Sequence, residues 1–337
     1  MKRGFDSSKY VKAQTKAILK RVRRFKRLYL EFGGKLTHDG HASRVLPGYK
    51  KTLKVDILRK LKNLEIIYCI SAKDLQSNKV LTLKQRTYEQ QALKDLREIK
   101  RFKLKNGVVV ITRFSGESKA KAFAKTLEKL GKAVYFHKET QGYLKSASNA
   151  INSYKTQSYI PIKSNLIVVS GPAGGSGKMA VALSQIYHEA QQDEKRVSGF
   201  AKFETFPIWN LPKEHEINLA YEAATADLQD VVLPDKLHEK AYGVKAVNYN
   251  RDIKNFSILQ AISRRITHEK NPYGYKSPTD MGVSSTKIGI INDTICRKAA
   301  IKEIKRRYEE YNNWRRKRQV SKATIKRMKE IMKKIMK

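Results

Sequence analysis

The chain has 337 residues, of which 40% are hydrophobic and 30% are charged, and its formal net charge is +40. This composition can support a large core, and the length suits two domains or one large domain with an appendage. There is no run of 18 apolar residues and no apolar signal stretch at the amino terminus, so we expect neither a membrane span nor secretion. Cys69 and Cys296 lie too far apart to suggest a disulfide framework. We therefore expect a cytoplasmic protein.

The positive charge is concentrated at the two ends of the chain. Residues 1–60 contain 18 Lys or Arg against 4 Asp or Glu, and residues 297–337 contain 17 against 4. Basic ends suggest nucleic acid or another acidic surface as a partner. The alternative is a set of solvated, lysine-rich faces, since no nucleic-acid-binding motif accompanies the charge.

Six short apolar runs alternate with segments of helical spacing. The predicted strands lie at residues 27–32, 64–70, 108–112, 133–136, 166–169 and 199–203. Helical periodicity occupies residues 51–63, 84–104, 117–130 and 179–192. Buried strands that alternate with helices predict a Rossmann-like α/β fold, with a mostly parallel sheet covered by helices on both faces. Such sheets bind ligands beyond the carboxyl ends of their strands.

The character of the sequence changes after the last predicted strand. Turns and polar–aromatic motifs dominate up to residue 292, and the rest of the chain is helical and basic. We therefore predict an α/β domain over residues 1–292, with 205–292 as a motif-rich subdomain, followed by a basic helical segment over 293–337. Within that segment, residues 321–336 form an amphipathic helix for which Ser321 is a plausible N-cap.

A glycine-rich turn joins the fifth predicted strand to a helix. Its sequence is Ser170-Gly171-Pro172-Ala173-Gly174-Gly175-Ser176-Gly177-Lys178. Glycine allows backbone N–H groups to converge on an anion, and the helix N-terminus adds partial positive charge. The turn therefore predicts a site for a nucleotide or a phosphorylated metabolite. The predicted ligand-binding residues are Gly171, Gly174, Gly175, Ser176, Gly177, Lys178 and Arg251. The alternative is a turn that needs glycine only for tight strand–helix packing.

The turn departs from the P-loop spacing G-x-x-x-x-G-K-[ST] in two places. Pro172 stands where the first glycine belongs, and Met179 stands where a hydroxyl would bind magnesium. Phosphate binding is therefore favoured over magnesium-dependent hydrolysis of a nucleoside triphosphate. The histidines form no HxxxH or HxH pair, so we predict no metal site, and the sequence identifies no particular cofactor.

Glu204 is the first of three candidate catalytic acids. It follows the sixth predicted strand, which we expect to lie next to the glycine-rich turn, and a carboxylate there can hold a metal or act as a general base. The alternative is a salt bridge with Lys202 or Lys178. Near the first strand, Lys35 and Arg44 either bind an anion at the same sheet edge or belong to an ordinary surface loop.

The other two candidate acids come from later motifs. Asp227 ends a helix predicted at 218–227, and Asp280 lies in the segment 276–282, which resembles both a turn and a ligand clamp. Arg251 belongs to a dense group of hydrogen-bonding residues at 248–252. That density suits a binding loop and also suits turn chemistry.

Several sequence blocks carry a family resemblance. They include residues 29–36 (YLEFGGKL), 41–48 (HASRVLPG), 203–212 (FETFPIWNLP), 219–228 (LAYEAATADL) and 276–283 (KSPTDMGV). Over nearly the whole chain they closely resemble the bacterial domain of unknown function family 1846, also called uncharacterised protein family 0371. The resemblance implies a Rossmann-like α/β region followed by helical and further α/β parts, with no established reaction. It also implies that Met179 is usual for the family and that its members extend beyond the end of this chain.

Two functions of different classes follow from these observations. The first is binding of a phosphate-bearing ligand, with or without catalysis on it. The second is a non-catalytic assembly or nucleic-acid-binding role for the basic ends. A third hypothesis is that a further C-terminal part completes the active site, and that an exposed Ile/Met stripe near residue 330 packs against a partner helix. We also expect a homo-oligomer.

Overall fold

A computed structural model describes residues 3–81, 86–140, 142, 146–192, 197–316 and 320–336. The strands in chain order are β1 (Arg27–Phe32), β2 (Leu64–Ser71), β3 (Val80–Leu81), β4 (Arg86–Thr87), β5 (Val108–Phe114), β6 (Ala133–Lys138), β7 (Leu166–Ser170), β8 (Ser198–Phe203), β9 (Val232–Pro234), β10 (Val247–Tyr249) and β11 (Gly282–Val283). Seven of them form one sheet in the order β11-β8-β1-β7-β2-β5-β6. Every pairing in this sheet is parallel.

Helices cover both faces of the sheet. In chain order they are α1 (Ser7–Val22), α2 (Gly40–Val45), α3 (Leu53–Arg59), α4 (Ala72–Gln76), α5 (Tyr88–Arg101), α6 (Ser118–Lys129), α7 (Ala147–Lys155), α8 (Lys178–Gln192), α9 (Glu216–Ala224), α10 (Lys236–Tyr242), α11 (Asn250–Thr267), α12 (Pro278–Met281), α13 (Thr286–Gly289), α14 (Asp293–Arg316) and α15 (Lys322–Ile335). One core lies between the sheet and α7, α8 and α11. The core on the other face includes α1, α5, α6, α9, α14 and α15. The α/β architecture predicted from the sequence is therefore confirmed.

The helix predicted at 218–227 differs from the observed one. Helix α9 spans Glu216–Ala224, and the His215 side chain caps it by accepting a hydrogen bond from the Ile217 backbone. Asn218 lies inside the helix because its amide group faces the core, where its oxygen accepts a hydrogen bond from the Ile208 backbone N–H at 2.8 Å. Asparagine is often found at helix N-caps, but here the Asn218 side chain joins α9 to the segment that contains Ile208.

The basic C-terminal segment packs onto the α/β core. Helix α15 begins at its predicted cap, because the Ser321 hydroxyl accepts a hydrogen bond from the Thr324 backbone N–H at 3.1 Å. Ile325, Met328 and Ile331 are buried in the core that α15 shares with α9 and α14. The expectation that this stripe is exposed and in need of a partner helix was therefore wrong. Among the described helices, none is long and apolar enough to cross a membrane.

Candidate functional site

The glycine-rich loop, defined here as residues 171–177, follows β7 and leads into α8. Two of its glycines are required by close packing. A Cβ on Gly171 would lie 2.5 Å from the carbonyl oxygen of Cys69, and a Cβ on Gly177 would lie 2.7 Å from the Cβ of Thr112. The Thr112 hydroxyl also donates a hydrogen bond to the Ser176 carbonyl at 3.0 Å. The packing role that the sequence left open is therefore present at both ends of the loop.

The middle of the loop has a different character. Gly174 and Gly175 are exposed. A Cβ on Gly175 would contact nothing, so packing does not explain this glycine, but its φ of +79° favours a residue without a Cβ. Gly177 also has a positive φ, of +76°. Within the described part of the chain, no hydrogen bond engages the backbone N–H groups of Gly174, Gly175 or Gly177. Free N–H groups at the N-terminus of a 15-residue helix form a favourable environment for an anion.

We call the exposed backbone at Gly174 and Gly175 the open arc. Two cationic side chains lie near it. A Cβ on Gly174 would lie 4.0 Å from Nη1 of Arg251. The Nε and Nη2 groups of Arg251 donate to the carboxylate of Asp230 at 2.7 and 2.9 Å, an arrangement that leaves Nη1 directed towards the loop. Asp230 is fully buried, whereas the Arg251 side chain is 44% exposed. On the other side, the Lys35 ammonium donates to the carbonyl oxygen of Pro172.

Lys178 faces inward rather than towards solvent. Its ammonium lies 3.3 Å from the Ala173 carbonyl oxygen, 3.5 Å from the Ser176 hydroxyl and 3.7 Å from a carboxylate oxygen of Glu31 in β1. The side chain is only 9% exposed. Lys178 thus contacts both the glycine-rich loop and strand β1 of the sheet.

Glu31 is half-buried and belongs to a group of otherwise buried charges that we call the acid–lysine cluster, consisting of Glu31, Lys178, Lys202, Glu204 and Asp252. Strand pairing aligns Glu31 of β1 with Lys202 of β8. The Lys202 ammonium donates to the Tyr249 hydroxyl at 2.8 Å and to the carboxylate of Asp252, in the first turn of α11. The same turn carries Arg251, so α11 connects the cluster to the loop.

Burial and mutual repulsion control protonation in the cluster. Desolvation raises the pKa of Glu204 to about 8, helped by the negative charges of Asp252 and Glu31 and opposed by Lys202. Burial lowers the pKa of Lys202, but the carboxylates of Asp252, Glu31 and Glu204 outweigh it and hold that pKa above its usual value. Lys202 therefore stays charged, and Glu204 carries a proton near neutral pH.

The structure changes the predicted surroundings of Glu204. Strand β1 lies between β7 and β8, so Glu204 is two strands away from the glycine-rich loop rather than one. Neither alternative salt bridge is formed among the described residues, because Lys202 pairs with Asp252 and Lys178 pairs with Glu31. Among the described residues, Glu204 itself forms no salt bridge.

Asp227 lies beside the loop, and Asp280 lies away from it. Asp227 is exposed on a short 3-10 turn, and its neighbour Leu228 would lie 3.2 Å from a Cβ on Gly174. Asp280 precedes β11, three strands from β7 in the sheet order, and accepts hydrogen bonds from the Tyr242 hydroxyl at 2.5 Å and the Lys276 backbone at 2.9 Å. At about 4.8 Å per strand, Asp280 is more than about 14 Å from the loop. Asp280 therefore belongs to the short helix α12, which is tied to Tyr242 of α10, and not to the surroundings of the glycine-rich loop.

Arg44 is likewise engaged elsewhere. Its guanidinium group donates to the buried carboxylate of Glu303 in α14, at 2.8 and 3.0 Å. Arg44 therefore joins α2 to the C-terminal segment. It does not reach the sheet edge at which an anion site was considered.

Sequence reasoning missed Glu31, Asp252 and Asp230 as site residues. Glu31 and Lys202 each interrupt an otherwise apolar strand, and a charged residue inside a buried parallel strand is itself a signal of a paired or functional group. Asp252 and Asp230 had no comparable signal, because their roles depend on the position of α11. The site is thus assembled from β1, β7, β8 and two segments distant in sequence.

The fold and the site define a parallel α/β protein with a P-loop-like turn at the carboxyl edge of its sheet. Residues 3–336 match the family model described as Domain of unknown function DUF1846, N-terminal, and the chain belongs to that family. The resemblance noted from the sequence blocks is therefore confirmed.

Clostridial relatives share most of this chain. It is 45% identical over 335 residues to a UPF0371 protein of Clostridium tetani (strain Massachusetts / E88). The aligned region covers 98% of this chain and 66% of the relative. A UPF0371 protein of Clostridioides difficile (strain 630) is 43% identical over 335 residues, with the same coverage of both chains. The chain thus spans just under two thirds of the length of these relatives.

Proposed function

We propose that the glycine-rich loop binds the phosphate group of a nucleotide or phosphorylated metabolite. The observation that supports the proposal is the open arc at Gly174 and Gly175 before α8. Among the described residues no hydrogen bond engages its backbone N–H groups, and Nη1 of Arg251 lies 4.0 Å from the position of a Cβ on Gly174. A phosphate would receive hydrogen bonds from the loop and a charge-assisted one from Arg251. If the ligand also reacts there, the candidate acids are Asp227, which is exposed beside the loop, and Glu204, which is buried two strands away.

Calorimetry with inorganic phosphate, AMP, ATP and ribose 5-phosphate tests this proposal. For the best-bound ligand, Arg251→Gln is expected to weaken binding about tenfold or more, because it removes a charge-assisted hydrogen bond worth about 1.4 kcal/mol or more. The matched control is Arg297→Gln. Arg297 also forms a bidentate pair, with Glu216 at 2.7 Å through both nitrogens, but on the surface of α14.

The control variant should retain an affinity within about twofold of the original protein. If none of the four ligands binds, or if both arginine variants weaken binding equally, the proposal fails.

A second candidate function rests on the outer face of α15. Lys322, Lys326, Lys329 and Lys333 are exposed and recur at helical spacing, opposite the buried stripe of Ile325, Met328 and Ile331. A row of four lysines suits an acidic partner, and nucleic acid is the partner whose binding would depend most steeply on salt.

Fluorescence polarisation with labelled duplex DNA and single-stranded RNA separates this candidate from the first. We expect the four Lys→Gln changes on α15 to weaken binding and reduce its salt dependence between about 50 and 200 mM. The control removes four lysines from α6, at the exposed positions Lys119, Lys121, Lys125 and Lys129. Equal losses from both sets would indicate a non-specific effect of net charge.

A further inference from the structure

The acid–lysine cluster contains more carboxylates than cations. Glu31, Glu204 and Asp252 face two ammonium groups, those of Lys178 and Lys202. Within the described part of the chain, one oxygen of each carboxylate is buried without a hydrogen-bond partner. Buried charges are stable only when they are paired. With all three carboxylates ionised the cluster would carry one negative charge in excess, and one bound positive charge would balance it.

A proton satisfies this requirement better than a metal ion. Among the described residues, no group of three or more acidic, histidine or cysteine side chains has a geometry that could hold a metal. A proton needs no ligand sphere, and closely spaced carboxylates commonly share one. Besides burial, the pKa of Glu204 depends on Asp252 of α11, Lys202 of β8 and Glu31 of β1. Glu204 in turn adds to the rise that burial causes in the pKa of Tyr249 of β10 and Tyr221 of α9.

Lys178 connects the cluster to the glycine-rich loop. In this structure its ammonium lies 3.7 Å from Glu31 and within 3.5 Å of two loop oxygens. An anion bound to the loop would attract the Lys178 ammonium. That ammonium would then neutralise less of the negative charge of Glu31. The anion would also add negative charge above the cluster. Both effects favour protonation of the carboxylates below.

We propose that the acid–lysine cluster is a proton-binding site coupled to the glycine-rich loop, so that a phosphate dianion and a proton from solvent bind together. Glu204 is the acceptor, since it is the one carboxylate of the three with no ion pair among the described residues. The proposal rests on the proposed function, because it requires an anion on the loop. It also identifies the ligand class as one carrying a dianionic phosphate, either inorganic phosphate or a phosphate monoester.

The test is the number of protons taken up when inorganic phosphate binds, measured by calorimetry at about pH 8.5 in buffers of different ionisation enthalpy. With the pKa of Glu204 at about 8 in the free protein, a rise of about one pKa unit on binding gives an uptake of about half a proton per phosphate. Glu204→Gln should abolish that uptake. Any ionisation of phosphate itself is common to both proteins and cancels in the difference.

Two further variants distinguish coupling from a general structural effect. Asp252→Asn removes a neighbouring negative charge, so the pH of maximal uptake should move downwards. Glu65→Gln is the control, since Glu65 is a buried strand glutamate paired with Lys105 near the start of β2, the opposite end of the sheet. It should behave like the original protein.

The outcomes separate the two proposals. If phosphate binds but the uptake is the same in the original protein and in Glu204→Gln, the coupling is disproved and the proposed function stands. If phosphate and the organic phosphates all fail to bind, both proposals are disproved.

Discussion

Two groups of buried charges lie at opposite ends of strands β1 and β8, and helix α8 contributes a residue to each. The two groups differ in how their carboxylates are hydrogen-bonded. At the amino ends of the strands, both oxygens of Glu189 accept hydrogen bonds, from Arg27, Tyr29 and Ser198. At the carboxyl ends, each of the three carboxylates in the acid–lysine cluster retains a buried oxygen without a partner among the described residues. The carboxylate of the first group is thus fully hydrogen-bonded within the fold, whereas the carboxylates of the second group can each accept a further hydrogen bond or a proton.

The largest expected effect comes from breaking the buried ion pair between Arg27 and Glu189. Glu189→Gln leaves the guanidinium of Arg27, which is only 3% exposed, without its ionic partner. Removing one partner of a buried ion pair costs about 3–5 kcal/mol, and urea unfolding should show a loss of that size. Glu204→Gln at about pH 6 should change the free energy of unfolding by less than about 1 kcal/mol, since that carboxyl is already neutral there. Equal losses of unfolding free energy in Glu189→Gln and Glu204→Gln would mean that the two groups contribute to stability in the same way.

The glycine-rich loop allows the same distinction between structural and functional positions. Gly177→Ala combines a positive φ with a Cβ 2.7 Å from Thr112, and we expect it to destabilise the fold by about 2–3 kcal/mol. Gly175→Ala meets no atom, so only its φ of +79° opposes it, at about 1 kcal/mol. It should nevertheless weaken phosphate binding, because the backbone at the open arc must shift.

The control for Gly175→Ala is Gly131→Ala. Gly131 also has a positive φ, of +72°, and an open position, but it follows α6 away from the loop. Urea unfolding should show similar small losses for both variants. Calorimetry should show weaker phosphate binding for Gly175→Ala alone. If Gly131→Ala weakens binding equally, the effect is one of stability and not of the loop.

Sequence patterns predicted the parts of the molecule that depend on local composition. The strands are β-branched apolar runs, the loop follows a strand directly, and Ser321 caps the helix it precedes. Strand order does not depend on local composition, and the placement of β1 between β7 and β8 separated Glu204 from the loop. Asp280 shows the same limit, because its polar motif forms the short helix α12, where the Asp280 carboxylate accepts a hydrogen bond from Tyr242 of α10.

The acid–lysine cluster lies at the boundary of what the sequence could predict. The charged residues Glu31 and Lys202 are visible as interruptions of apolar strands. Their meeting depends on the parallel register of β1 and β8, and the arrival of Asp252 depends on how α11 crosses the sheet. Tertiary packing, rather than motif spacing, therefore creates the excess of negative charge on which the proton proposal depends.

The smallest expected effect follows from the pKa of Glu204. This pKa is about 8 in the folded protein, against an ordinary value of 4.5. Between these values the folded state binds more protons than the unfolded state, so the contribution of Glu204 is fully present below about pH 4.5 and is lost as the pH rises towards 8. Relative to Glu204→Gln, the original protein should lose about 1 kcal/mol of unfolding free energy between about pH 7 and pH 8, measured by urea unfolding at each pH. Parallel pH profiles would show that Glu204 does not hold a proton in the folded protein, and the cluster would then lack the acceptor that coupled binding requires.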